Sequence, residues 1–150
     1  MATFGFERGG LANAYRFERA VRELANLTRS QNAGADDTVR QRVAQAAIEA
    51  HVFRATGLRN LTRAQHGHAP GPEASVTKLY WSEMDKRLQE AAIGVEGMYG
   101  ALGPDSPHAI EEGRWQYGWM WSQAETIYAG SSEIQRNIIA ERVLGLPRGR

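Results

Sequence analysis

Apolar positions recur every three or four residues through most of this chain. Leu11, Ala14, Phe17, Val21, Leu24 and Leu27 form the first such stripe, and that spacing gathers them on one face of an α-helix. The pattern predicts a helix from about Phe4 to Ser30. The segment NAGADD breaks it with Gly34 and two aspartates. Thr38 and Gln41 have the spacing of a capping box and predict the start of a second helix. Its stripe is Val39, Val43, Ala46, Ala50, Phe53, Gly57 and Leu61. HGHAPGP reads as a turn, and Pro72 suits the first position of a third helix. That helix carries Val76, Leu79, Met84, Leu88, Ala91 and Val95, and GALGPDSPH ends it. The aromatic stretch RWQYGWMWSQAETIY has a less regular period. A last helix is predicted from about Ser132 to Leu144, with Ser132 and Gln135 as its capping box.

The longest predicted helices, of about 27 residues, extend ~40 Å at 1.5 Å per residue. Short polar turns between helices of that length favour antiparallel packing. The expected fold is therefore all-α: an antiparallel four-helix-type bundle with a short extra C-terminal helix. No strand-like alternation of useful length occurs. A chain of 150 residues suits one domain with a real core, spanning residues 1–150.

Composition narrows the function. Hydrophobic residues make up 42%, charged residues 23%, and the net charge is +1, which fits a folded globular chain. Such an even balance gives no basis for binding nucleic acid or a membrane surface. No cysteine is present, which excludes disulfides and thiolate metal sites. No basic flank precedes an apolar run, as in a signal peptide, and no run approaches the ~18 apolar residues of a membrane span. A cytoplasmic location is the default expectation. His66 and His68 sit in a polar turn without a nearby third ligand, so no metal site is expected. Trp115, Tyr117, Trp119 and Trp121 lack an accompanying basic groove, which favours core or interdomain packing over base stacking. Neither a Walker loop nor a G-x-G-x-x-G is present.

One stretch carries more specific information: IYAGSSEIQRN, from Ile127 to Asn137. Together with the following IIAERVLGLPRG it resembles the C-terminal signature of the acyl-CoA dehydrogenases. FERGGLA resembles the start of the first long helix of that family's C-terminal domain. EASVTKLYWSEMDKRLQEAAIGVEGMYG resembles its third helix and the turn after it. The resemblance spans nearly the whole chain and implies the helical-bundle domain alone, without the N-terminal helical and middle β-barrel domains. It also implies α,β-dehydrogenation of an acyl-CoA thioester, with FAD as cofactor in the full enzyme and an electron-transfer flavoprotein or similar acceptor. Like or unlike dehydrogenase subunits are the implied partners, in a dimer or larger species.

Two departures bear on mechanism. The family's Arg-Gln-x-Phe-Gly element is replaced by LTRSQNAGADD, which resembles divergent bacterial members that handle steroid side chains. The acid that usually precedes the loop glycine is replaced by Ala129. Alanine keeps the backbone N–H that would donate to the thioester carbonyl but removes the base. The resemblance implies Glu7 as the replacement, since some relatives carry the acid just ahead of an arginine on the first long helix. Phe4 and Phe6, its apolar neighbours in sequence, would raise its pKa by desolvation. Arg8 is then a candidate to orient Glu7 or to meet substrate. Tyr128 and Gly130 are implied substrate contacts, and Ser131, Gly97 and Gly100 implied FAD contacts. Read without the resemblance, Glu7 is a first-turn surface acid and Ser131 a helix cap. A non-catalytic assembly subunit with the same fold is the alternative function, and Glu7 discriminates between the two.

Overall fold

The computed structural model describes residues 11–69 and 71–148. Five α-helices form among them: α1 Leu11–Ser30, α2 Asp37–Gln65, α3 Ala74–Glu96, α4 Arg114–Glu125 and α5 Ser132–Ile138. Short 3-10 turns at Ala33–Ala35, Gly97–Ala101 and Ile110–Gly113 join them, and a π-helical turn at Ile139–Val143 follows α5. No strand occurs among the described residues. The all-α bundle expected from the apolar period is the fold.

Neighbouring helices run antiparallel, as their contacts show. Phe17 of α1 meets Phe53 of α2, and Glu18 pairs with Arg54. Leu24 and Leu27, nearer the end of α1, share a cluster with Ala46, nearer the start of α2. Asn60 reaches Thr77, whereas Glu49 reaches Arg87, so α3 reverses α2. Lys78 reaches Glu125, whereas Glu96 reaches Gln116, so α4 reverses α3.

Two apolar clusters fill the bundle. One holds Leu24, Leu27, Ala46, Leu88, Ala91, Ala92, Val95 and Trp115. The other holds Ala14, Phe17, Ala50, Phe53, Trp81 and Met84. Alanines at facing positions let the helices approach closely, and the large side chains interlock between them. Phe17 and Phe53 meet edge to face, with centroids 5.4 Å apart at 87°, a geometry worth about 0.5–1.5 kcal/mol beyond simple burial.

The α1 stripe behaves as expected, with Ala14, Phe17, Leu24 and Leu27 buried. Two expectations fail at helix ends. Leu61 is exposed because α2 outruns its neighbours, and residues 61–69 all lie in solvent. Val76 is also exposed, near the start of α3. The cap of α2 is Asp36, not Thr38: its carboxylate accepts from the N–H of Thr38 at 2.7 Å and of Val39 at 3.4 Å. A charged acceptor there serves two open N–H groups and the positive end of the helix dipole together. Those two amides hold the Asp36 carboxyl below its ordinary value.

α3 is the central element and touches all four other helices. Being covered on several sides, it buries polar residues as well as apolar ones: Ser75, Thr77, Lys78, Ser82, Asp85 and Glu96. The aromatic stretch of irregular period is the regular helix α4. Its inward face mixes Trp115 with Gln116, Ser122 and Glu125, so burial does not follow hydropathy there. Only Trp115 of its aromatics joins the core. Tyr117, Trp119 and Trp121 face solvent in this chain, so of the two expected roles, core or interdomain packing, the core role falls to Trp115 alone.

Candidate functional site

The motif of the sequence becomes a six-residue connection, 126–131, between α4 and α5. It is closed at its base by the Ser132 N–H, which donates to the Thr126 carbonyl at 2.9 Å. Ala129 sits in the left-handed region at φ 54° and Gly130 follows at φ 94°. Left-handed backbone costs a non-glycine residue about 1–2 kcal/mol, so something must hold this turn. Gln135 does so. Its buried Nε2 donates to the carbonyl of Ala129 at 3.1 Å and of Gly130 at 3.3 Å. A Cβ on Gly130 would lie 2.4 Å from that nitrogen, so position 130 needs glycine for both conformation and space.

The cap of α5 differs from the expected box. Ser131, not Ser132, is the cap, its Oγ accepting from the Ile134 N–H at 3.4 Å. Ser132 instead donates to Glu83 Oε1 at 2.7 Å, beside Arg136. Gln135 is turned back on the loop rather than onto a helix N-terminus. The sequence pattern S-x-x-Q is therefore a loop lock tied to α3.

With both carbonyls fixed inward, the N–H groups of Ala129, Gly130 and Ser131 meet no acceptor among the described residues. They lie beside an aromatic wall. The Tyr128 ring sits between Trp81 and Trp121, with centroids 6.4 Å and 6.3 Å away, and Trp121 stacks on Tyr117 at 6.4 Å. Tyr117, Trp121, Ile127, Tyr128 and Ile134 are all substantially exposed. The wall is exposed and mostly apolar, and the loop bearing those N–H groups continues directly from Tyr128.

Beneath Tyr128 lies a buried polar group. Arg16 Nη2 donates to Glu125 Oε1 at 3.0 Å and also to Asp85 Oδ2. Lys78 Nζ donates to the Glu125 carbonyl at 2.9 Å. Burial, followed by the adjacent Asp85 carboxyl, pushes Glu125 up to about 7 against the pull of Arg16. Burial, then the Glu125 charge, lifts the Tyr128 phenol above its ordinary value.

The structure brings Tyr128, Ala129, Gly130 and Ser131 together in one loop. Glu7 and Arg8 lie outside the described residues. Gly97 and Gly100 are not part of this loop. Glu96 lies thirteen positions along α3 from Glu83, which is at the loop, about 20 Å at 1.5 Å per residue. Gly97 has φ 59° with open space where a Cβ would stand. A Cβ on Gly100 would meet the Ile93 carbonyl oxygen at 2.9 Å, so this glycine already has a packing reason within its own chain. Arg16, Lys78, Trp81, Asp85 and Glu125 were not legible as site residues. The one available signal was spacing: Glu125 lies three residues before Tyr128, and Lys78, Trp81 and Asp85 share an α3 face at three- and four-residue intervals. A groove of about 250 Å³ lies elsewhere, between α2 and α3, lined by Arg42, Glu49, Arg87 and Glu90. Arg87 is already paired with Glu49 there, and nothing links that groove to the loop.

The family model for the acyl-CoA dehydrogenase C-terminal domain matches residues 1–144. The chain belongs to the acyl-CoA dehydrogenase family and is its C-terminal helical domain. It is 38% identical over 153 aligned positions to acyl-CoA dehydrogenase IpdE1 of Mycolicibacterium smegmatis, covering 99% of this chain and 36% of that protein. The IpdE1 of Mycobacterium tuberculosis is 39% identical over 150 positions, covering 99% of this chain and 37% of the relative. The chain thus spans little more than a third of the curated relatives it matches. The solved Tcur3481-Tcur3483 steroid ACAD superposes with a TM-score of 0.83 at 25% identity, over 95% of this chain and 38% of that one. The ChsE4-ChsE5 complex from Mycobacterium tuberculosis gives 0.72 at 26% identity, over 94% and 36%.

Proposed function

We propose that this chain is one wall of an FAD-dependent acyl-CoA dehydrogenase and carries the thioester-binding loop and the base. The observation that carries this reading is the Ala129 peptide. Gln135 locks its carbonyl inward, and its N–H, one residue after Tyr128, meets no acceptor among the described residues. A thioester oxygen seated there would accept that N–H as it gains enolate charge, and preorganised donors stabilise such charge strongly. Tyr128, Trp121 and Trp81 would flank the acyl chain. Glu7 would take the α proton, and the electrons of that C–H bond would form the new double bond as hydride leaves the β carbon. Bound FAD would supply the hydride acceptor.

The donor set suits a flavin edge to a limited extent: Ser131 offers a half-buried hydroxyl one residue beyond Gly130, and Gly97 offers open space at the other end of α3. Gly100 is the weaker FAD contact, since its lack of a side chain is explained by Ile93. The relatives' length supports flavin-holding domains supplied outside residues 1–150. Two structural neighbours are named as two-component assemblies, one of them a steroid enzyme. That supports an unlike dehydrogenase subunit as partner and an acyl-CoA with a steroid-derived side chain as substrate. An electron-transfer flavoprotein is the acceptor consistent with this chemistry. The missing acid at Ala129 favours one second reading, a supporting subunit whose partner does the chemistry.

The test is anaerobic addition of a steroid-side-chain acyl-CoA to the assembled dehydrogenase that carries this chain. The flavin absorbance should bleach as hydride arrives. An assembly that holds flavin and thioester and never bleaches would overturn the reading.

A further inference from the structure

We propose that Glu125 and Asp85 form a carboxyl pair sharing a single proton, and that this pair positions Tyr128 from below. The inference rests on the burial and hydrogen bonds of these side chains and holds whatever ligand the loop takes. Glu125 is wholly buried and Asp85 is 2% exposed. One nitrogen, Arg16 Nη2, donates to both carboxyl groups, which draws two acids of like charge into one water-poor site. Two carboxylates that close resist ionising together. They hold a proton between them instead, and their titration belongs to the pair.

The hydrogen-bond inventory says which acid carries the proton. Asp85 has donors on both oxygens: Arg16 on Oδ2, and Gln89 Nε2 on Oδ1 at 2.9 Å. Glu125 has Arg16 on Oε1, but its buried Oε2 meets no donor among the described residues. An ionised Oε2 would be an orphan acceptor, which is costly. A protonated Oε2 is a donor with an acceptor near at hand, because the one Arg16 nitrogen that bonds Glu125 also bonds the Asp85 carboxylate beside it. One proton satisfies the cluster.

The remaining groups that face Glu125 fit this assignment. Lys78 of α3 directs Nζ to the Glu125 backbone carbonyl at 2.9 Å. Arg16 of α1 is shared with Asp85. Tyr128 follows three residues along the chain, and burial, then the Glu125 charge, lifts its phenol above its ordinary value. Tyr128 also forms the middle of the exposed aromatic wall. Loss of the shared proton adds a second negative charge to the pair whose charges already raise that phenol. Glu125 is thus a positioning residue, acting on the loop through Tyr128.

The experiment is a carbon-13 NMR titration of side-chain carboxyl groups in the full chain as isolated, with Tyr128 ring signals followed in parallel. Besides the Glu96 step near 6 at the other end of α3, the wild type should show a buried carboxyl step near neutrality with Tyr128 shifting in the same step. Glu125→Gln, nearly isosteric, should abolish that step and the Tyr128 shift together. Asp85→Asn removes the like charge and leaves Arg16 to Glu125 alone, so the surviving step should move down toward the ordinary carboxylate range. If Asp85→Asn does not fold, the wild type and Glu125→Gln decide the matter. Both carboxyls titrating in the ordinary acid range would overturn the proposal, since Arg16 and Lys78 would then hold both ionised. A neutral step other than that of Glu96 that persists in Glu125→Gln, or a Tyr128 that ignores the Glu125 step, would overturn it equally.

Discussion

Replacing Gln135 tests whether the motif is a loop lock. Gln135→Leu keeps the side-chain volume and removes the two donors that hold the carbonyls of Ala129 and Gly130. A hydrogen bond contributes a net ~0.5–1.5 kcal/mol. Two bonds set the gross loss at about 1–3 kcal/mol. Ala129 is exposed, so its freed carbonyl recovers water, and the unpartnered Gln135 Oε1 is removed along with the amide. Both offsets bring the expected loss to about 1–2 kcal/mol. For a chain of this size that lowers Tm by roughly 2–8 °C. Gln135→Glu is the sharper variant. At neutral pH it sets a carboxylate against two carbonyl oxygens, which raises its folded-state pKa above the unfolded value. Its stability is then fully present below the unfolded pKa and lost as pH rises through the folded pKa. Thermal melts across pH, with amide hydrogen exchange of residues 126–131, make the assay. Equal Tm values for wild type and both variants, with unchanged exchange in the loop, would refute the lock.

Other positions give independent checks. Gly130→Ala places a methyl group 2.4 Å from Gln135 Nε2 at φ 94°, so it should release the lock and speed loop exchange more than Ala129→Gly, which relieves a left-handed alanine. Phe17→Ala empties a fully buried site against Phe53 and Trp81 and should cost about 3–5 kcal/mol in urea unfolding. Burial raises the Glu96 carboxyl to about 6, against the Gln116 hydrogen bond that lowers it. Its contribution to stability is therefore full below its unfolded pKa and declines as pH rises through about 6. Glu96→Gln should flatten that part of the stability curve, as followed by thermal melts on either side of pH 6.

Much of the bundle was legible because helical burial writes itself as a three- and four-residue period. The α1 stripe is the clearest case, since α1 hides one face only. α3 was harder to read, because a helix covered on several sides can bury Lys78, Ser82 and Asp85 wherever partners exist. α4 was harder still, as its inward face is half polar. The caps show the limit of local pattern. Asp36 outcompetes Thr38, and Ser131 frees Ser132 to bind Glu83 on α3. The loop itself could be read from its motif. The cluster beneath it could not, since Arg16, Asp85 and Glu125 meet only across 69 and 109 residues of chain.

The central claim is that this chain brings its own base to an acyl-CoA thioester held at the Ala129 peptide. The most direct measurement is the single-turnover rate of flavin bleaching by acyl-CoA in the assembled dehydrogenase, wild type against Glu7→Gln. A general base contributes ~10²–10⁴-fold, so the rate should fall by at least ~100-fold while flavin content stays the same. An unchanged rate would contradict the claim and move the base to another subunit.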